Sequence, residues 1–329
     1  MARAPRHPDL RYNGSMRFIS SVVFCMALLI MAPAARAETL EGDRFIIEYH
    51  PNDLQVAKDT LAWLEAARKE FDPLLPMGDE PVRVKIASNV NEFVGLTGTY
   101  AHVGVSGVTR ADQSHIALKS PRLRPLGDDY RGTVRHELVH VLLHRNTNTD
   151  NLPRWLNEGL CMMLANELRW GSALQVAQMH LTGQLLEPAA LDVAFRAPGS
   201  DHQFGNAYAQ ALSMTRHLRD KVGDGPFWSL IPAMRDASFP QALLAQTGMT
   251  AQEFWEGYRG GLWGLTIMSI LQTGSFWGAV SFLCIFVFMI RHLRNRAILR
   301  RWEAGEDSDS GDTPFDWDSV LADSEDWKR

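Results

Sequence analysis

The chain has 329 residues, 46% hydrophobic and 22% charged, with a formal net charge of -5. That composition allows one or two globular domains with a sizeable core and gives no reason to expect nucleic-acid binding. Three cysteines, Cys25, Cys161 and Cys284, put only Cys161 inside the expected folded region. An intradomain disulfide and a cysteine-based zinc site are therefore both excluded at this level.

Residues 1–37 read as a leader and signal peptide. Met16 and Arg17 precede the apolar run "FISSVVFCMALLIM", and small residues follow up to Ala35-Arg36-Ala37. A basic start, a short apolar segment and an A-x-A-like end are the marks of a cleaved signal, with an uncleaved anchor helix as the alternative. Translation starting at Met16 would leave that signal intact.

Residues 38–259 form the expected extracytoplasmic domain. "RFIIEYH" (44–50) suits a strand, and residues 52–75 read as an amphipathic helix with Val56, Leu61, Leu64 and Ala67 at helical spacing and Pro73 near its end. "VRVKIAS" (82–88) alternates as a strand does. "GVSGVTRADQ" reads as a glycine-rich turn region, followed by a strand over 114–118. The helical stretch "TVRHELVHVLLH" (133–144) comes next, then the polar turn "NTNTDNLP" and the helix "RWLNEGLCMMLANEL". "GNAYAQALSMTRHLRDKVG" gives a further helix with Gly223 as its stop, and "PFWSLIPAMRD" and "TAQEFWEGYRG" give two short ones. Strands with helices first, then mostly helices, describe an α+β domain.

Residues 260–290 carry no charge and end in "FWGAVSFLCIFVFMI", enough with part of "TIMSILQTGS" for a transmembrane helix. The arginine-rich "RHLRNRAILRR" directly after it favours the cytoplasmic side for the C-terminus. The expected location is therefore a cell membrane, single-pass, of the bacterial inner-membrane kind. The remainder of 291–329 is acidic and reads as a disordered, solvated tail. Its Phe315, Trp317, Val320, Leu321 and Trp327 leave open a docking motif for a cytoplasmic partner.

His136 and His140 lie one helical turn apart on one face, so two imidazoles can reach one metal ion. Glu137 stands beside them, where it can reach a metal-bound water; this is the HExxH pattern of two ligands and a general base. HExxH also arises by chance, in which case it marks a buried helix whose polar groups find other partners. A catalytic site needs a third protein ligand, and His144, Asp150 and Glu158 are the candidates. Three successive turns of a straight helix do not wrap one ion, which disfavours His144. Asp150 sits in the polar turn. Glu158 lies within the next helix, beside Gly159, where a small residue permits close packing, and a ligand on a packed helix is better held.

"HELVH", a 17-residue gap from Val141 to Asn157 and then Glu158 within "PRWLNEGL" resemble the zinc-binding core of gluzincin metallopeptidases and are similar to the peptidase MA-like family. The "WLNEG" wording also resembles zinc aminopeptidases of the same clan, but no Gly-x-Met-Glu-Asn element is present. The resemblance is strongest over 131–168 and weaker over 44–259. It implies Zn²⁺ held by His136, His140 and Glu158, with Glu137 activating water. It also implies a later helix supplying an oxyanion donor, for which Tyr208 is the candidate and His202 the second. "HIALKS" would be an edge strand that binds an extended peptide substrate. The aspartate that thermolysin-like enzymes place one turn beyond the glutamate ligand is replaced by Met162, so histidine partners must come from elsewhere. The resulting expectation is a membrane-anchored zinc metallopeptidase acting on extracytoplasmic peptides or proteins. The alternatives are a non-catalytic peptide-binding or assembly protein on the same fold, and a structural membrane protein without metal.

Overall fold

The computed structural model describes residues 37–98, 105–167, 171–196, 201–272 and 274–309. The leader and signal, apart from Ala37, and residues 310–329 of the tail lie outside the described residues. The chain divides into two compact units, one up to Thr266 and one from Ile267, so the first unit extends past the expected boundary at Arg259.

The first unit is mixed α+β. Among its described residues, β1 (Glu38–Glu41), β2 (Phe45–Tyr49), β3 (Val82–Ala87), β4 (Gly107–Arg110) and β5 (His115–Lys119) form one sheet in the order β1-β2-β3-β5-β4. The central pairs β2/β3 and β3/β5 are parallel, and the outer pairs β1/β2 and β4/β5 are antiparallel. Alternation sends Val82, Val84, Ile86, Ile116 and Leu118 into the main core, while Ala87 and Ala117 meet Phe93 in a smaller cluster.

Helix α1 (Leu54–Phe71) buries Ala57, Thr60, Leu64, Ala67 and Phe71. Helix α2 (Val90–Thr97) is capped by the Asn89 side chain, which accepts from the Glu92 amide. Helix α3 (Tyr130–Asn146) holds the HExxH pattern and starts where Asp129 accepts from the Gly132 amide at 2.8 Å. Its buried residues lie on nearly every side, as in a central helix rather than a surface one.

After α3 the chain turns through an Asx turn at Asn148, whose side chain accepts from the Asp150 amide, and Pro153 opens α4 (Arg154–Ala165). Trp155 anchors that opening. It is buried, its amide donates to Asp192, and its ring stacks on Phe254 and meets Phe239 edge-on. Helices α5 (Ser172–Leu181), α6 (Pro188–Arg196), α7 (Asp201–Val222), α8 (Asp224–Ala233), α9 (Phe239–Thr247) and α10 (Ala251–Gln272) follow. Gly223, at φ 82°, ends α7 as the sequence suggests.

Three expectations are corrected. The stretch read as turn contains β4, because its short Gly-Val-Thr-Arg run finds β5 as an antiparallel partner. The "HIALKS" strand is not an edge: β5 is paired on both sides, and β4 is the edge. The acidic segment is helical up to Asp309, since α11 (Gly274–Asp309) runs straight through the arginine cluster. Extending an existing helix avoids the nucleation cost, and Arg, Ala, Leu and Glu propagate it well.

The apolar stretch is shared between α10 and α11. Within α11, Trp277–Trp302 is by length and composition able to cross a membrane; its apolar 18-residue window has a mean hydropathy of 1.4 and no buried residue. The uncharged part of α11, residues 274–290, is about 26 Å long at 1.5 Å per residue, close to a hydrocarbon core of roughly 30 Å, with the arginines from Arg291 at its end.

Helix α4 meets α7 closely at Gly159. A Cβ there would strike the Thr215 side chain and lie 2.8 Å from the Ala211 carbonyl oxygen. Gly159→Ala should lower unfolding free energy by about 1–3 kcal/mol in denaturant titrations. Adding Thr215→Ala should restore only part of that loss, because the backbone contact remains.

Candidate metal centre

The site is built by α3, α4, α7 and the edge strand β4. On α3, His136 and Glu137 are buried and His140 is half-buried. On α4, Glu158 turns its Oε2 towards both histidines, 3.5 Å from His136 Nε2 and 3.8 Å from His140 Nε2.

The opposite ring nitrogens are already committed. His136 Nδ1 lies 2.7 Å from Glu167 Oε1, and His140 Nδ1 lies 2.8 Å from Asn157 Oδ1. Both partners accept, so each Nδ1 carries a hydrogen, and in the neutral rings each Nε2 presents a lone pair. Three lone-pair atoms thus meet in a buried place. Glu158 Oε2 has no hydrogen-bond partner there. A cation among these atoms would supply the partner that Glu158 Oε2 lacks. Ligands about 2.0–2.1 Å from a tetrahedral zinc stand roughly 3.4 Å apart, close to the separations found.

Without a metal, the surroundings favour the protonated form of His136. Burial pushes the His136 imidazolium down, but Glu158 and Glu167 more than offset it and raise its pKa to about 10. For Glu158, burial acts to raise the pKa, and the His140 and His136 charges with a Tyr208 hydrogen bond hold it below the usual value.

Cys161 stands on the other side of His140. Its Sγ is 3.3 Å from His140 Nδ1, the nitrogen that Asn157 holds. His136, His140 and Cys161 offer ligand atoms all within 4.8 Å of one another, a group that could hold a metal ion. A cysteine-based centre stays excluded with one thiol in the domain, but the sequence did not show that this thiol stands beside the two histidines. Burial, with Glu158, Glu137 and Glu167 nearby, pushes the Cys161 thiol well above its ordinary pKa, which opposes the thiolate that a metal needs.

Glu137 is held from β4. The Thr109 hydroxyl lies 2.6 Å from Glu137 Oε2 and 3.0 Å from its carbonyl oxygen. Gly107 faces the same carboxylate, and a Cβ there would come within 2.7 Å of Glu137 Oε1. The strand can lie this close because position 107 has no side chain.

Tyr208 reaches the site from α7. Its hydroxyl hydrogen-bonds Glu158, and its ring meets Phe195 and Phe204 edge-on. His202 is exposed, with its Nδ1 3.5 Å from Asn206 Nδ2 one turn along. Asp150 is exposed in its turn. The structure thus brings together His136, Glu137, His140, Glu158 and Tyr208. The roles of Thr109, Asn157, Cys161 and Glu167 did not emerge from sequence. Asn157 alone carried a signal, being the neighbour of Glu158 in "WLNEG".

The chain matches no protein-family model, and no curated protein is significantly similar to it.

Elemental analysis of the purified full chain should find about one divalent ion per molecule. His140→Ala and Glu158→Ala should each lose most of it. Cys161→Ser should keep it, because that side chain faces the nitrogen already held by Asn157.

Proposed function

We propose that this chain is a membrane-anchored zinc metallopeptidase with a gluzincin-type domain, hydrolysing peptide bonds of extracytoplasmic peptides or proteins. The observation that carries the reading is the orphaned Glu158 Oε2 facing two oriented Nε2 lone pairs, with Glu137 next to them in sequence. His136, His140 and Glu158 are taken as the ligands, since their free lone pairs converge, whereas Cys161 meets His140 at its committed nitrogen. Zinc, when bound, supplies a water of lowered pKa and polarises the scissile carbonyl.

The protein's own residues carry the proton. Thr109 occupies Glu137 Oε2, which leaves Oε1 to take the proton from the attacking water and pass it to the departing amine. Tyr208, one carboxylate away from the convergence point, donates to the oxyanion as it develops. The peptide is read as adding to the outer edge of β4, antiparallel to β5, with its backbone passing Gly107 over Glu137. The arginines after Ile290 favour a cytoplasmic C-terminus, which places the site outside the cytoplasm.

Glu137→Gln should keep the metal and lose peptide hydrolysis; a variant that loses neither metal nor biological function would favour the non-catalytic binding protein. Tyr208→Phe should lower kcat by about 10²–10³ with metal content unchanged, if the phenol serves the oxyanion. A fall in metal affinity instead would assign Tyr208 to holding Glu158.

A further inference from the structure

We infer that Glu167 is the positioning residue of this metal centre, delivered to His136 by the C-terminal cap of α4 and not by a face of that helix. The inference rests on the metal-binding reading above and adds a residue that nothing in the HExxH or "WLNEG" pattern assigns.

An imidazole can bind a metal through either nitrogen, and the hydrogen bond at the other nitrogen decides which. At His136 that bond is 2.7 Å long and goes to a carboxylate oxygen. An ionised carboxylate only accepts, so Nδ1 must donate, and in the neutral ring Nε2 is the nitrogen left with a lone pair towards Glu158. The negative charge behind the ring also makes the imidazole a stronger ligand.

The way Glu167 arrives is a matter of backbone geometry. One turn beyond Glu158 on the helix stands Met162, fully buried in the core. Met162 offers no carboxylate to His136. Helix α4 ends instead with Asn166 in the left-handed conformation, φ 55° and ψ 40°. The next amide, of Glu167, donates back to the Met162 carbonyl at 3.0 Å. This cap reverses the chain and brings the Glu167 side chain against α3.

The cap is itself tied to α3. Arg135, the neighbour of His136, donates to the Leu164 carbonyl at 2.8 Å. Its guanidinium also makes two 2.8 Å hydrogen bonds to the carboxylate of Glu70 on α1 and stacks over Phe71. One arginine thus fixes the end of α4 relative to the histidine that Glu167 serves.

The test is zinc affinity of the full chain in detergent, measured by chelator competition, with the visible spectrum of the cobalt-substituted protein as a second readout. Glu167→Ala should weaken zinc binding about 10–100-fold and alter the cobalt spectrum. Glu167→Gln, which is isosteric and keeps an acceptor for Nδ1–H, should weaken it by less. Asn166→Gly should leave affinity unchanged, because glycine adopts the cap conformation freely, whereas Asn166→Val should reproduce the Glu167→Ala loss. If Glu167→Ala lowers only the melting temperature and binds zinc as tightly as the parent, Glu167 is a structural residue and the inference fails. A parent chain that binds no zinc overturns the metalloenzyme reading and this role together.

Discussion

Two imidazole nitrogens and one carboxylate oxygen converge between α3 and α4, and the carboxylate oxygen is shut off from solvent. Leaving a carboxylate oxygen there without a partner is costly, and facing it with two further acceptors adds to that cost. A cation between the groups, a proton on His136 or a metal ion, would relieve that cost. Much of the surrounding architecture serves to hold these three atoms in position. Glu167 and Asn157 orient the rings, Tyr208 holds the carboxylate, and the close approach of α4 to α7 at Gly159 fixes the helix that carries Glu158.

The segment "WLNEG" shows how one helical turn serves several neighbours. Trp155 points into an aromatic nest with Phe239 and Phe254 and sets where α4 begins. Leu156 fills the core, Asn157 faces His140, Glu158 faces the convergence point, and Gly159 allows α7 to approach. Successive residues on a helix differ by about 100° in direction, so five in a row cover the whole circumference. The motif has little freedom to vary because each direction is occupied by a different partner.

The edge strand has the corresponding role on the other side of α3. A longer side chain at position 107 would displace Glu137, while the hydroxyl at 109 holds it. The same strand has only β5 as a partner among the described residues, so its outer backbone groups face away from the sheet. The Glu137 carboxylate and the outer edge of β4 are therefore coupled: whatever pairs with β4 lies alongside the carboxylate that Thr109 holds.

The sequence by itself determined what depends on local periodicity. Spacing of four residues puts His136 and His140 on one helical face, the proline-tryptophan opening starts a helix that carries Glu158, and an uncharged run followed by arginines marks a helix able to cross a membrane. Tertiary structure alone decided the rest. Thr109 lies on a four-residue strand that has no identity without β5, and the inner place of β5 depends on which strands pair. Glu167 reaches His136 from 31 residues away, around a helix end whose left-handed turn leaves no periodic trace. Cys161 joins the histidines only because α4 crosses α3 at this angle. The physical reason is the same in each case. A helix or strand fixes which of its own side chains share a face, but the approach of one element to another is set by packing and by loops, and neither is encoded within any single segment.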